Sequence, residues 1–364
     1  MTFSSVRDWK FSAKLRVSVA STPQFEPGVM GITMGLLSGM ASMGASISLV
    51  LQKDLPKDPQ EFERSMWCSP FGFFLLLIAS DAAVNDKPVE LQLLKRLAFD
   101  SYRQHLGGIG SGNQLHWMSI DPAIPLPPLL PFDEQKGFPT PSDFARVIST
   151  SVHRMGTFAL SSVVEKPIVS FIYETARNSY EHGRIDAAGS TTRGIRSISL
   201  ERIIFANRGE IGQRSLPDYL RNYFRTLFNE ARFDKQVFCL SIIDQGLGIQ
   251  RTLAPHQGET HLQTLKRAFV DGESSKPKGE ANRGLGLSNV LFAAKDLGAL
   301  IQIYSAGLFI YQDFLNADDK YPVFAPIVID DSPRSEAQGT VMSLFIPQHA
   351  VSPDQKELFV ERHV

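Results

Sequence analysis

The chain has 364 residues, of which 43% are apolar and 21% charged, an ordinary globular balance that excludes a disordered or low-complexity architecture; its length predicts two domains. Thirty-seven basic against 38 acidic residues leave a formal charge of −1, which argues against a dedicated nucleic-acid binder. The two cysteines, Cys68 and Cys239, lie far apart in apolar runs, so they build neither a disulfide framework nor a cysteine zinc site and read as buried thiols of a cytoplasmic protein.

Residues 1–14 are polar and charged, and no signal peptide is expected there. Alternation predicts a strand at 15–19. The uncharged stretch 27–52 is long enough to span a bilayer, and Gly31, Gly35 and Gly39 recur at four-residue spacing. Its five glycines and four serines, and its strand-like end, fit a small-residue helix against a sheet better. A strand at 47–51, a helix opening at 69–72 and running through 73–79, an alternating strand at 89–93 and a short helix at 100–106 follow. This alternation implies a small α/β domain over 1–120. The Pro-rich stretch 121–142 reads as a linker.

The second domain is expected over 143–350, with a tail at 351–364. A helix through Val147, Val152 and Phe158 opens it. A stronger one at 166–182 carries Ile168, Phe171, Ile172, Ala176 and Ser179 as its inner stripe, with Gly183 as its stop. Strands at 195–199 and 203–206 precede an aromatic amphipathic helix at 216–232. A fully apolar run at 237–243 predicts a buried strand. A helix at 287–297 and strands at 300–304, 308–311 and 341–346 complete the pattern.

Four motifs in this block carry chemistry. Glu174, Asn178 and His182 are spaced i, i+4, i+8 and share one helix face. The Asn178 amide oxygen suits Mg²⁺, and the Glu174 carboxylate suits orienting or deprotonating a nucleophile, with a water-bridged place beside the metal. Asp244-Gln245-Gly246-Leu247-Gly248 follows the buried strand directly. Asp244 is placed to accept a hydrogen bond from a purine amino group, and Gly246 and Gly248 let backbone approach a ring. Arg283-Gly284-Leu285-Gly286-Leu287-Ser288-Asn289 opens a helix, where backbone N–H groups form a phosphate cradle. It is not a dinucleotide fingerprint, because Asn289 stands at the third glycine position, and the chain contains no Walker A sequence. Gly339-Thr340 leads the last strand, with the Thr340 hydroxyl within reach of a base edge.

In order and spacing these motifs resemble the GHKL ATPase superfamily of sensor histidine kinases, type II topoisomerases, Hsp90-like chaperones and anti-sigma factor serine kinases. Glu174 and Asn178 match the N box, Asp244, Gly246 and Gly248 the first glycine box, Gly284 and Gly286 the second, and Gly339-Thr340 the terminal strand. The form of the N box is closest to anti-sigma kinases and stand-alone ATPases. The resemblance covers 143–347 and implies a Bergerat-type α/β sandwich, a mixed sheet with helices on one face, holding ATP and Mg²⁺. It also implies a mobile lid at 249–283, whose Lys276, Lys278 and Arg283 meet the phosphates. His153 lies only 25 residues before Asn178 and lacks the neighbours of a phosphoacceptor, so autophosphorylation there is not expected. His256, Glu259 and His261 do not have the spacing of a zinc site.

The first block is similar to a STAS-like domain at Cys68-Ser69-Pro70-Phe71-Gly72-Phe73, with Ser69 offset from the antagonist phosphosite and followed by Pro70. Together these resemblances imply a cytoplasmic regulator that binds ATP and hydrolyses it slowly or switches partner contacts with it. A serine/threonine kinase of the anti-sigma type and a non-catalytic nucleotide-gated scaffold are the competing readings. The implied partners are an adenine nucleotide and a protein, with a homodimer compatible and neither nucleic acid nor membrane expected.

Overall fold

The computed structural model describes residues 14–19, 33–34, 37, 46–51, 70–84, 87–104, 109–111, 113–120, 126–127, 130, 137–154, 162–184, 194–230, 233–253, 256–270, 286–317, 321–331 and 338–349. The chain is α/β. Cys68, Ser69, Lys276, Lys278, Arg283, Gly284 and the 351–364 tail lie outside the described residues.

The N-terminal part forms a four-stranded sheet from β1 (Lys14–Val19), β2 (Ser46–Leu51), β3 (Asp81–Val84) and β4 (Lys87–Val89). The first three are parallel, and β4 returns antiparallel to β3. Helices α1 (Pro70–Ile78) and α2 (Leu91–Gln104) accompany it. The strand expected at 89–93 is therefore corrected: from Leu91 onward the chain is helical. Leu91, Ala98 and Tyr102 are buried on one side of α2, whereas Leu93 is 47% exposed. The short Val89-Leu91-Leu93 alternation is overridden by a longer 3.6-residue period.

The large sheet has eight strands. It begins with β5 (Ile109–Ser111) and β6 (Gln114–Ile120), both within the stretch read as the first domain. β6 nevertheless pairs residue for residue with β7 (Ile195–Ile204), so the sheet crosses the boundary drawn at 120. Helices α3 (Pro141–Arg154) and α4 (Ser162–His182) lie between them in sequence. After β7 come α5 (Arg208–Gln213), α6 (Asp218–Leu227) and β8 (Phe233–Asp244), then α7 (Ile249–Thr252), α8 (His261–Ala268) and α9 (Gly286–Asp296). Strands β9 (Leu300–Ser305), β10 (Leu308–Asp313), β11 (Ile327–Asp331) and β12 (Thr340–His349) close the sheet in the order β11-β10-β9-β12-β8-β7-β6-β5.

Every pairing in this sheet is antiparallel, which corrects the expected mixed sheet. The apolar run at 237–243 arises because both faces of β8 are covered. Helices on one face alone are likewise corrected. Leu240, Ile242, Ile303, Met342 and Leu344 face α3, α4 and α9. On the opposite face Val237, Cys239, Leu300 and Phe345 pack under α6, through its Leu220, Tyr223, Phe224 and Leu227 stripe. Ile243, Val341, Tyr304, Phe309, Met118 and Ile195 on that same face pack against α1 and α2.

Between these two apolar areas a polar row crosses the second face in register: His116, Ser199, Ser241, Ser343 and Gln302. Ser241 and Ser343 hydrogen bond at 2.7 Å, and the Tyr219 hydroxyl donates to Gln302 Oε1. Both ring nitrogens of His116 are buried with no partner among the described residues. Burial holds its imidazole down to about 3, so it is neutral.

The expected linker is partly core, since Leu126 and Leu130 are buried. Thr140 and Asp143 cap α3 reciprocally: the Thr140 N–H donates to Asp143 Oδ2 (2.9 Å) and the Asp143 N–H to Thr140 Oγ1 (3.3 Å). No helix among the described residues is long and apolar enough to cross a membrane.

Candidate functional site

Asp244, Thr340 and Ser305 stand side by side at the ends of β8, β12 and β9. Asp244 is 7% exposed. The Gly246 N–H donates to its Oδ1 at 3.0 Å, and Thr340 donates to it from side chain and backbone. Burial outweighs these donors and the nearby Arg196 guanidinium, pushing the carboxyl up to about 6. The next residue, Gln245, turns away from the cleft side and accepts the Ile195 N–H with its Oε1 at 2.9 Å, tying the turn to β7.

Glycines permit the close approach around Asp244. A Cβ on Gly183, just past α4, would lie 2.6 Å from Asp244 Cβ, and one on Gly246 would lie 2.7 Å from Gly183 Cα. Helix α4 therefore ends directly on the Asp244–Gly246 turn. Gly248 has φ of +93°, the left-handed side that glycine alone adopts freely, and its added Cβ would meet Ala306. Beyond it Ser305 anchors the chain: its Oγ accepts the Ile249 N–H (2.8 Å) and donates to Gln250 Oε1 (2.7 Å), while Gln250 Nε2 donates to Ser305 O (2.8 Å).

Helix α4 carries Glu174, Asn178 and His182 past this turn. Glu174 and Asn178 converge on Gly286 at the start of α9. An added Cβ there would be 3.1 Å from Glu174 Oε2 and 3.5 Å from Asn178 Nδ2. Asn289, one turn into α9, donates from Nδ2 to Glu174 Oε1 at 3.1 Å. Helix rise separates Glu174 from His182 by about 12 Å along α4, so the acidic and Asp244 ends of the site lie well apart.

One cleft of about 960 Å³, counting space open to solvent, lies among these elements. Glu174, Asn178, His182, Asp244, Gly246, Gly248, Gly286, Leu287 and Thr340 are brought together there, over an apolar lining that includes Ile242, Leu253, Ala268 and Met342. Sequence reading missed four contributors. Asn289 was noted only as a non-glycine; Gln245, Gln250 and Ser305 act through contacts made only in the folded chain.

The segment expected to be a lid is corrected over its first part. Residues 249–252 and 261–268 are helical, and Leu253, Leu265, Ala268 and Phe269 are buried in the core. Thr260 and Gln263 form a capping box on α8, and Phe269 stacks on Phe324, between β10 and β11, at 4.1 Å. Glu259 is engaged by Arg267 at 3.0 Å through both oxygens. Val270, next to Phe269, is exposed.

Neither protein-family models nor curated proteins match the chain.

Proposed function

We propose that the cleft binds an adenine nucleotide with Mg²⁺ and that the protein is a GHKL-type regulatory ATPase with slow turnover. One observation carries this reading: four segments distant in sequence, at 174–182, 244–248, 286–287 and 340, converge on a single cleft with unlike ends. At one end stands a buried, acceptor-only carboxylate beside a hydroxyl over apolar walls. That end suits a purine ring whose amino group donates to Asp244. At the other end a carboxylate and a carboxamide meet the first turn of a helix. That end suits phosphates, and its spacing along α4 suits the length of a nucleoside triphosphate.

The donor set fits Mg²⁺, which takes one or two protein oxygens and fills its remaining positions with water and phosphate. Asn178 Oδ1 would be the direct ligand, and Glu174 would act through water. The ion would neutralise charge on the phosphates. Glu174 itself orients a water for in-line attack and takes its proton. The apolar lining excludes bulk water from the purine end. The strand-end row of Asp244 and Thr340 fixes the ring's register against the sheet.

In this reading ATP binds at the GHKL-like motifs on a sheet that is wholly antiparallel and covered on both faces. Incubation with labelled ATP, resolving free phosphate, protein-bound phosphate and unreacted ATP, tests the reading. Slow Mg²⁺-dependent release of free phosphate is expected. Protein-bound phosphate would favour the kinase, and bound but unreacted ATP the gated scaffold.

A further inference from the structure

We propose that Asn289 is a positioning residue that aims the Glu174 carboxylate, so that the first turn of α9 sets the geometry of the general base; this rests on the nucleotide reading above. Asn289 Nδ2 supplies the hydrogen bond to Glu174 Oε1, at 3.1 Å, and no other described residue hydrogen bonds to this carboxylate. Oε2 is left to face Gly286, where an added Cβ would approach it to 3.1 Å. Gly286 and Asn289 are three residues apart and occupy one face of α9's first turn. That turn grips Glu174 in two ways: Asn289 ties one oxygen, and Gly286 leaves room for the other.

The residue type fits the task. An amide N–H donor fixes a carboxylate without neutralising it, whereas lysine or arginine at 289 would pair with the base and weaken it. A carboxylate at 289 would repel it. With Oε1 held, Oε2 remains to accept a proton. In the hydrolytic step a water oxygen forms the new bond to the γ-phosphorus, and the bond from that phosphorus to the β–γ bridging oxygen breaks. ADP leaves with the electron pair, and the water proton passes to Oε2. Because Asn289 rides on α9, a ligand that seats against the start of α9 also fixes where Glu174 points. Base alignment is thereby coupled to phosphate seating rather than built into α4 alone.

The opposing account is that the Asn289–Glu174 bond merely stitches two packed helices. Single-turnover hydrolysis and ATP calorimetry on Asn289→Ala, Glu174→Gln and the double variant separate the two. Asn289→Ala is expected to slow phosphate release about 10- to 100-fold, the cost of slight misplacement of a catalytic group, with ATP affinity unchanged within about twofold. In the Glu174→Gln background the same substitution is expected to slow the residual rate no further. Asn289→Asp, which keeps the shape and removes the donor, guards against a folding defect and is expected to lose at least as much. An unaltered rate in Asn289→Ala, an equal fold-loss in both backgrounds, or a loss matched by weaker ATP binding would overturn the assignment. Wild-type protein that binds no ATP would overturn the nucleotide reading instead, and this inference with it.

Discussion

Tyr102 completes the hydrogen bonding of Met118 with its single hydroxyl, donating to the Met118 carbonyl at 2.6 Å and accepting from the Met118 N–H at 2.8 Å. β5 pairs with β6 only from Gln114 to His116, so Met118 lies past the end of that partner. A side chain from α2 takes the place of a strand there. Tyr102 is buried, and desolvation drives its phenol strongly upward, so it stays neutral. Tyr102→Phe leaves a buried N–H and C=O without partners. The expected loss of stability is about 1–3 kcal/mol in chemical denaturation. No loss would mean that the N-terminal unit does not depend on this contact.

That contact also shows what the sequence could and could not disclose. Asp244 and Thr340 were legible because each lies at a strand end close to glycine, and Glu174 and Asn178 because their spacing puts them on one face of a periodic helix. Helices α4, α6 and α9 were legible from their periodic stripes. The place of β6 was not, because nothing in Gln114–Ile120 records that its partner is β7, some 75 residues later; pairing across such a distance is a tertiary fact. The second face of the sheet was hidden for the same reason. Its apolar residues alternate with equally apolar ones on the first face, so the run at 237–243 carries no sign of which element covers it.

His116 and Asp244 make opposite contributions to acid stability. The folded-state His116 lies at about 3, below its ordinary 6.5, so the unfolded chain binds the extra proton between these values. Its contribution is present above pH 6.5 and is lost as pH falls toward 3, by up to about 5 kcal/mol. His116→Leu is expected to flatten the loss of stability between pH 6.5 and 4. A pH profile identical to wild type would contradict the burial of a neutral imidazole.

The Asp244 carboxyl is raised to about 6, so here the folded chain holds the extra proton. Its contribution is present below about pH 4 and is lost as pH rises through 6, by up to about 3 kcal/mol. Asp244→Asn is expected to remove that slope from the unliganded protein. Ligand binding runs the other way, because a purine amino group needs the ionised acceptor. Affinity is expected to fall by up to tenfold per pH unit below 6. Affinity independent of pH between 5 and 7 would separate Asp244 from recognition.

The fit of α4 onto the Asp244 turn can be tested at Gly246. Its added Cβ would meet Gly183 Cα at 2.7 Å and the His182 carbonyl oxygen at 2.9 Å, both backbone atoms that cannot swing aside. Gly246→Ala is expected to cost about 1–3 kcal/mol and to distort the cleft. Gly212→Ala, in α5 with open space around it, is the control and is expected to be neutral or slightly stabilising. Equal behaviour of the two variants in thermal melts would contradict the close packing.

Glu174 is expected to matter for turnover and not for retention of nucleotide. Glu174→Ala should abolish phosphate release while ATP still binds, since the Asp244 end of the cleft is untouched. Unchanged phosphate release would remove Glu174 from the chemistry.

Isothermal calorimetry of the full-length protein with ATP, with and without Mg²⁺, repeated on Asp244→Ala and Asn178→Ala, tests the central claim most directly. Wild type is expected to bind with a Mg²⁺-dependent component, Asp244→Ala to lose binding in both conditions, and Asn178→Ala to lose only the Mg²⁺-dependent part. A folded wild-type protein that releases no heat and shows no thermal shift with ATP, or equal affinity in all three proteins, would contradict it.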